Sequence, residues 1–177
     1  MIFSVKYLLI LIIAIAVVGC QNNKAPKAMV ETDEQIAART ISEKDIARID
    51  FIEFGLSEDS QEATADWQKY NELQEQIEFL KKGDFSFFKG ETELVKTFTK
   101  EFRSEMPENI KTREISARIT ALDTKIQKLN SILRLNSSTK QEKLSGIGEL
   151  LIAFRNFKLQ INKKFEFEKN NVLRPVN

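Results

Sequence analysis

Between Pro107 and Leu135 the apolar residues Ile115, Ile119, Leu122, Ile126, Leu129 and Leu133 recur in steps of 4, 3, 4, 3 and 4. This spacing constrains the fold more than any other feature of the chain. A strand places alternate residues on one face and would scatter these six over both. An α-helix gathers them into one a/d stripe over nearly three heptads, and such a stripe is buried by packing against other helices. The spacing predicts one long helix over 107–135. Pro107 suits its first turn, and Asn136-Ser137-Ser138 ends it.

The flanking segments repeat the helical period. After Ser138, Leu144, Ile147, Leu151, Phe154, Ile161 and Phe165 form a second seam, which Leu150 and Phe157 widen. Ser138 with Gln141 and Thr139 with Glu142 both fit capping boxes at its start. Gly146 and Gly148 interrupt it, at roughly 1 kcal/mol each against Ala in a helix interior. Either close helix contact or fraying of the first turn explains them. Leu94, Phe98 and Phe102, with Val95 beside them, predict a helix over 91–106. Ala63, Trp67, Tyr70, Leu73, Ile77 and Leu80 predict another over 60–82, capped by Asp59 or Ser60 and stopped by Gly83.

Residues 42–56 read two ways. Ile46, Ile49, Ile52 and Leu56 step by 3, 3 and 4, and Thr40 with Glu43 fits a capping box, which together favour helix. Ile49 with Phe51, and Ile52 with Phe54 and Leu56, also resemble two short alternating runs, which leaves strand as the alternative. Between Gly83 and Gly90 stand Phe85, Phe87 and Phe88. They read as an aromatic plug closing one end of a bundle, or else as a ligand-stacking loop. The resulting fold class is all-α: an antiparallel bundle of about four main helices over residues 42–169, joined by short loops.

Composition narrows the chemistry. The 177 residues include no histidine and one cysteine. Imidazole-based zinc and haem sites, Ser-His-Asp and Cys-His catalysis, an internal disulfide and a CxxC centre are all excluded. Met29 and Met106 therefore have no histidine with which to hold a haem. No Gly-rich phosphate loop, GxSxG or HExxH occurs. Asp45, Asp50 and Glu53, and the row Glu72, Glu75 and Glu78, are the available carboxylate groupings. A row at steps of three on a helix reads as a solvated face. The expectation is a protein that is not an enzyme and carries no metal or cofactor.

The first nineteen residues differ from the rest. Lys6 is their one charge, and every residue from Tyr7 to Val18 is apolar. Twelve such residues rise about 18 Å as a helix, short of a roughly 30 Å hydrocarbon core. A short positive start, a brief apolar run and a small residue read as a secretory signal peptide. The run ends in Val17-Val18-Gly19-Cys20, which resembles the lipobox of bacterial lipoproteins. That resemblance covers the first twenty residues. It implies cleavage before Cys20, a diacylglyceryl thioether on its sulfur and an acylated amino terminus. Residues 1–19 are then the signal peptide; polarity and helical period make 20–41 a flexible tether, 42–169 the bundle and 170–177 a loose tail. A polar tether of some 20 residues spans about 25 Å as a coil.

Charge is distributed unevenly. The whole chain holds 27 bases and 26 acids. Residues 31–93 hold 17 acids against 7 bases, and residues 94–177 hold 17 bases against 9 acids. Pairing of the two halves within one bundle is the plainer explanation, and a basic half that binds anionic headgroups is the alternative. Near-neutrality speaks against nucleic acid as partner. The expected protein is a lipid-anchored, non-catalytic helical module of the cell envelope that binds a protein or envelope partner through a helix face. Its expected location is the outer membrane, facing the periplasm. The alternative is a carrier holding a small apolar or anionic ligand between its helices near Phe85–Phe88. Phe79, off its helix's seam, is the candidate for an exposed apolar contact.

Overall fold

In the computed structural model of this protein, residues 32, 34 and 38–170 are described. The expected signal peptide, Cys20, Met29, most of the expected tether and residues 171–177 of the expected tail lie outside the described residues. The chain partitions into two units, Met1–Ile36 and Ala37–Asn177, and the second holds the bundle.

Six α-helices are described: α1 Glu43–Ile46, α2 Glu58–Thr64, α3 Gln68–Lys81, α4 Thr92–Ser104, α5 Arg113–Arg134 and α6 Lys140–Asn170. A single 3-10 turn, Glu108–Ile110, precedes α5. No strand occurs among the described residues. Cross-helix contacts give the helix directions. Leu129 and Ile132 of α5 meet Gly146 of α6, and Lys125 and Lys128 pair with Glu149. Gln127 donates to Thr99, and Thr92 donates to Asn130, between α4 and α5. Trp67 at the start of α3 packs on Phe102 of α4, with ring centroids 4.6 Å apart, and Lys69 lies over the Phe98 ring. In each pair, residue numbers rise on one helix as they fall on the other. The architecture is therefore an antiparallel all-α bundle.

The a/d stripe of α5 is buried along its whole length, from Ile115 to Leu133. Ile147, Leu150, Leu151, Phe154, Phe157 and Ile161 of α6 are buried against the same core. Thr112 caps α5 by accepting from the Ile115 N–H. The first residues of the predicted 107–135 helix form the 3-10 turn instead, so α5 starts at Arg113. Of the two capping boxes considered for α6, Thr139 with Glu142 is made: the Glu142 N–H donates to the Thr139 hydroxyl, and the Thr139 N–H donates to the Glu142 carboxylate. Both glycines of α6 serve close contact. A Cβ on Gly146 would stand 3.2 Å from Ile132 Cδ1, and one on Gly148 would stand 3.2 Å from Ile49 Cγ2.

Three expectations need correction. The predicted 60–82 helix is two helices, broken at Ala65, Asp66 and Trp67. Asn71 donates its side-chain amide to the Ala65 carbonyl and so satisfies the broken end. Asp and Asn compete locally with the helical ladder, and the apolar period does not register that competition. On α4 the buried face is Val95, Phe98, Thr99 and Phe102, while Leu94 is 70 % exposed. At 42–56 only Glu43–Ile46 is helical, capped by Ser42 with Asp45 and not by Thr40 with Glu43. The remainder, 47–57, is an irregular strap that opens with a turn at 47–49, neither the helix nor the strand read from sequence.

That strap lies along α6 and runs in the same direction. Asp45 pairs with Lys140, Ile49 passes Gly148, Glu53 pairs with Lys158, and Asp59 pairs with Lys169. Between its ends the strap passes from Gly148 at Ile49 to Asn162 at Ser57.

Candidate functional site

Two regions carry chemistry beyond plain core packing. The first is the face shared by the strap and α6. Asn162 of α6 accepts from the Ser57 N–H and donates to the Gly55 carbonyl, both at 2.9 Å. Glu53 receives Lys81 at 2.8 Å from α3 and Lys158 at 3.3 Å from α6. Partial burial opposes ionisation of Glu53, but the two ammonium groups outweigh it and lower its pKa. At the strap's start, the Lys140 ammonium together with the Ser42 N–H and hydroxyl holds the Asp45 carboxyl well below the usual range. Lys158 is 7 % exposed, and its ammonium lies 5.2 Å over the Phe154 ring. Its stem is spent on packing while its head reaches Glu53.

The same face leaves apolar groups in solvent. Ile52 is 65 % exposed, and Phe54 and Ile152 are also exposed. Arg155 stands 5.9 Å over the Phe54 ring. A groove of about 530 Å³ runs beside them, lined by Arg48, Ile49, Leu144, Gly148, Glu149 and Ile152 among others. Sequence reasoning missed Ile52 and Ile152. The helical reading of 42–56 places Ile52 on a buried face, and Ile152 sits one position off the α6 seam. Phe79 is exposed as expected, at 39 %. It stands on α3.

The second region is the bundle end built from the Phe85–Phe88 turn. Helix α3 ends on Gly83 at φ +89°, a left-handed position that glycine adopts without strain. The Asp84 N–H reaches back to the Phe79 carbonyl and the Gly83 N–H to that of Leu80, the paired closure of a Schellman stop. Phe88 is fully buried, and Phe87 packs edge-on against both Phe88 and Phe98 at 4.9 Å. The segment is thus a plug. Asn130, only 1 % exposed on α5, fixes it by donating to the Phe88 and Gly90 carbonyls at 2.9 Å and accepting from Thr92 at 3.0 Å. The apolar period says nothing about Asn130. A lone Asn flanking a seam leucine was the available signal. Beside the plug a cleft of about 300 Å³ opens, lined by Arg39, Ile41, Phe85, Lys89, Leu133 and Lys143 among others.

The carboxylate groupings do not converge. Asp45 and Glu53 are salt-bridged to different lysines, and Asp50 is exposed. Glu72 pairs with Lys69, Glu78 pairs with Lys81, and Glu75 is solvated. Among the described residues, no three acids or cysteines are placed to hold a metal ion. Met106 is buried in the core. Two donors in the aromatic core, Trp67 Nε1 and the Tyr70 hydroxyl, have no hydrogen-bond partner. Burial pushes the Tyr70 phenol far above its ordinary pKa, so it stays neutral. Among the described residues, no helix is long and apolar enough to cross a membrane. Neither a protein family, a curated protein nor a solved structure matches this chain.

Proposed function

We propose that this protein is a lipid-anchored, non-catalytic helical module of the bacterial envelope that binds a protein or envelope partner. The anchor rests on the Val17-Val18-Gly19-Cys20 motif after its short apolar run. In this reading the mature chain begins at Cys20 and carries acyl chains on its sulfur and amino group. Two or more chains give stable attachment, where a single one gives only marginal binding. The outer membrane's periplasmic leaflet is the proposed location. The observation that supports the binding role is the row of exposed apolar groups, Ile52, Phe54 and Ile152, along the strap and α6. An isolated exposed apolar side chain is ordinary, whereas several along one braced seam are typical of contact surfaces.

Two variants test this. Cys20→Ser should abolish lipid labelling and leave the precursor uncut before residue 20. Processing at that point in the variant, with continued membrane fractionation, would refute the anchor. Ile52→Lys with Phe54→Lys should remove the native crosslinked complexes of the full chain while leaving its melting temperature within a few degrees. Unchanged crosslinks would refute that face as the contact.

A further inference from the structure

We propose that the face shared by the strap and α6 takes an acidic, amphipathic segment of a partner protein. This deepens the proposed binding role and rests on it. Leu144, Gly148, Ile152 and Arg155 step by 4, 4 and 3, so they share one face of α6. Ile49 of the strap lies against Gly148, and the Phe54 ring lies 5.9 Å from the Arg155 guanidinium. The groove of about 530 Å³ along this line has Arg48 and Ile152 among its walls. Exposed apolar groups and arginines therefore stand side by side here.

The charges of this face divide by residue type. Its acids are taken by lysines: Asp45 by Lys140, Glu53 by Lys81 and Lys158, and Glu149 by Lys125 and Lys128. Arg48 and Arg155 have no ion-pair partner among the described residues, and Arg155 donates to the side chain of its neighbour Asn156. Asp50, exposed on the strap, is likewise unpaired and does not line the groove. Two unpaired arginines against one unpaired acid, with Glu149 outnumbered by its two lysines, leave the face positive. An arginine fork grips a carboxylate through two parallel N–H donors, and arginine and aromatic side chains are enriched in protein contacts. A lipid-binding patch, by contrast, clusters about four to eight cations. The complementary surface is a protein segment that sets carboxylates on the arginines and apolar side chains on Ile52, Phe54 and Ile152.

In the test, a photo-crosslinking phenylalanine analogue replaces Ile52 in the full chain, which is irradiated in the cells that make it. Crosslinked peptides are sequenced by mass spectrometry. The adduct should be a segment of another protein in which Asp and Glu outnumber Lys and Arg and are interleaved with apolar residues. Arg48→Glu with Arg155→Glu should cut its yield by roughly fivefold, the factor expected of two exposed ion pairs. Lys89→Glu with Lys100→Glu, the same charge change elsewhere on the bundle, should leave it unchanged. Because Arg155 is half-buried, Arg48→Glu alone repeats the measurement at an exposed site, with a loss of about twofold at an unchanged melting temperature. Adducts to a neutral or basic segment, to a second copy of this chain or to lipid would overturn the proposal, as would equal effects in the two double variants. Those outcomes leave the face standing as a contact surface. Absence of any adduct at position 52 would instead refute the face as a contact, and this inference with it.

Discussion

Helix α6 is gripped by α5 and also by the 47–57 strap, and the two grips are built differently. Against α5 it buries a continuous apolar stripe, Ile147 through Ile161 meeting Ile115 through Leu133. Against the strap it offers mostly separate polar contacts, Lys158 on Glu53 and Asn162 on Gly55 and Ser57, with Lys140 on Asp45 of α1 just before it. The first grip is cooperative, because each side chain fills space that its neighbours define. The second is a series of separate fastenings. Exposed ion pairs contribute only about 0–1 kcal/mol each, and net hydrogen bonds about 0.5–1.5 kcal/mol. One grip specifies the fold. The other leaves a brace that rests Ile49, Phe51 and Leu56 on the core while Ile52 and Phe54 face solvent.

The contrast is broken most severely in the core. Leu122→Ala or Leu129→Ala should cost about 2–5 kcal/mol through lost transfer energy and residual cavity, read as a lower urea midpoint. Both side chains are essentially fully buried. A loss under about 1 kcal/mol would mean that the bundle is not organised on this face. Asn162→Ala removes both fastenings at Gly55 and Ser57 and should cost about 0.5–1.5 kcal/mol per bond, with the strap loosened and the bundle intact. Protease sensitivity confined to 47–57 is the expected signature.

The two glycines sharpen the contrast further. Helix propensity favours Ala over Gly by roughly 1 kcal/mol at both. At Gly146 the new methyl would crowd Leu129 and Ile132, at 3.3 and 3.2 Å, within the packed seam. At Gly148 it would crowd Ile49 of the strap, which can shift outward. Gly148→Ala should therefore stabilise by up to about 1 kcal/mol, and Gly146→Ala should gain nothing or lose stability. Equal melting shifts for the pair would contradict a yielding strap.

Acid should separate the grips most gently. Asp45 and Glu53 have folded pKa values below their ordinary 3.8 and 4.5. Groups so depressed contribute stability that is complete above the ordinary pKa and is lost as pH falls through the folded value. The strap should loosen as pH drops below the ordinary carboxylate range, while near-UV signals from the Trp67 cluster persist. Strap proteolysis that stays unchanged as pH falls from neutral to well below that range would count against the ion pairs as fastenings.

The same contrast explains what could be read from sequence. The α5 and α6 seams were legible because burial imposes a period, and the period is written in residue type. The strap was not, since Ile46, Ile49, Ile52 and Leu56 imitate a helical period although Ile52 faces solvent. Its real partners are Lys140, Lys158 and Asn162, far along the chain on α6, and no local window contains them. The Phe85–Phe88 plug was legible from composition, whereas its Asn130 clamp was not. The basic cleft joins Arg39, Lys89 and Lys143, which only the folded bundle brings together.

Hydrogen exchange of the full native chain tests the central distinction most directly. No backbone acceptor is shown for the amides of residues 50–56, whereas the α5 and α6 seam amides are helical and buried. Exchange at 50–56 should be orders of magnitude faster than at 119–133 and 147–161, whose amides should open only with global unfolding. Uniform protection across the strap and both seams would show one cooperative unit and contradict the account.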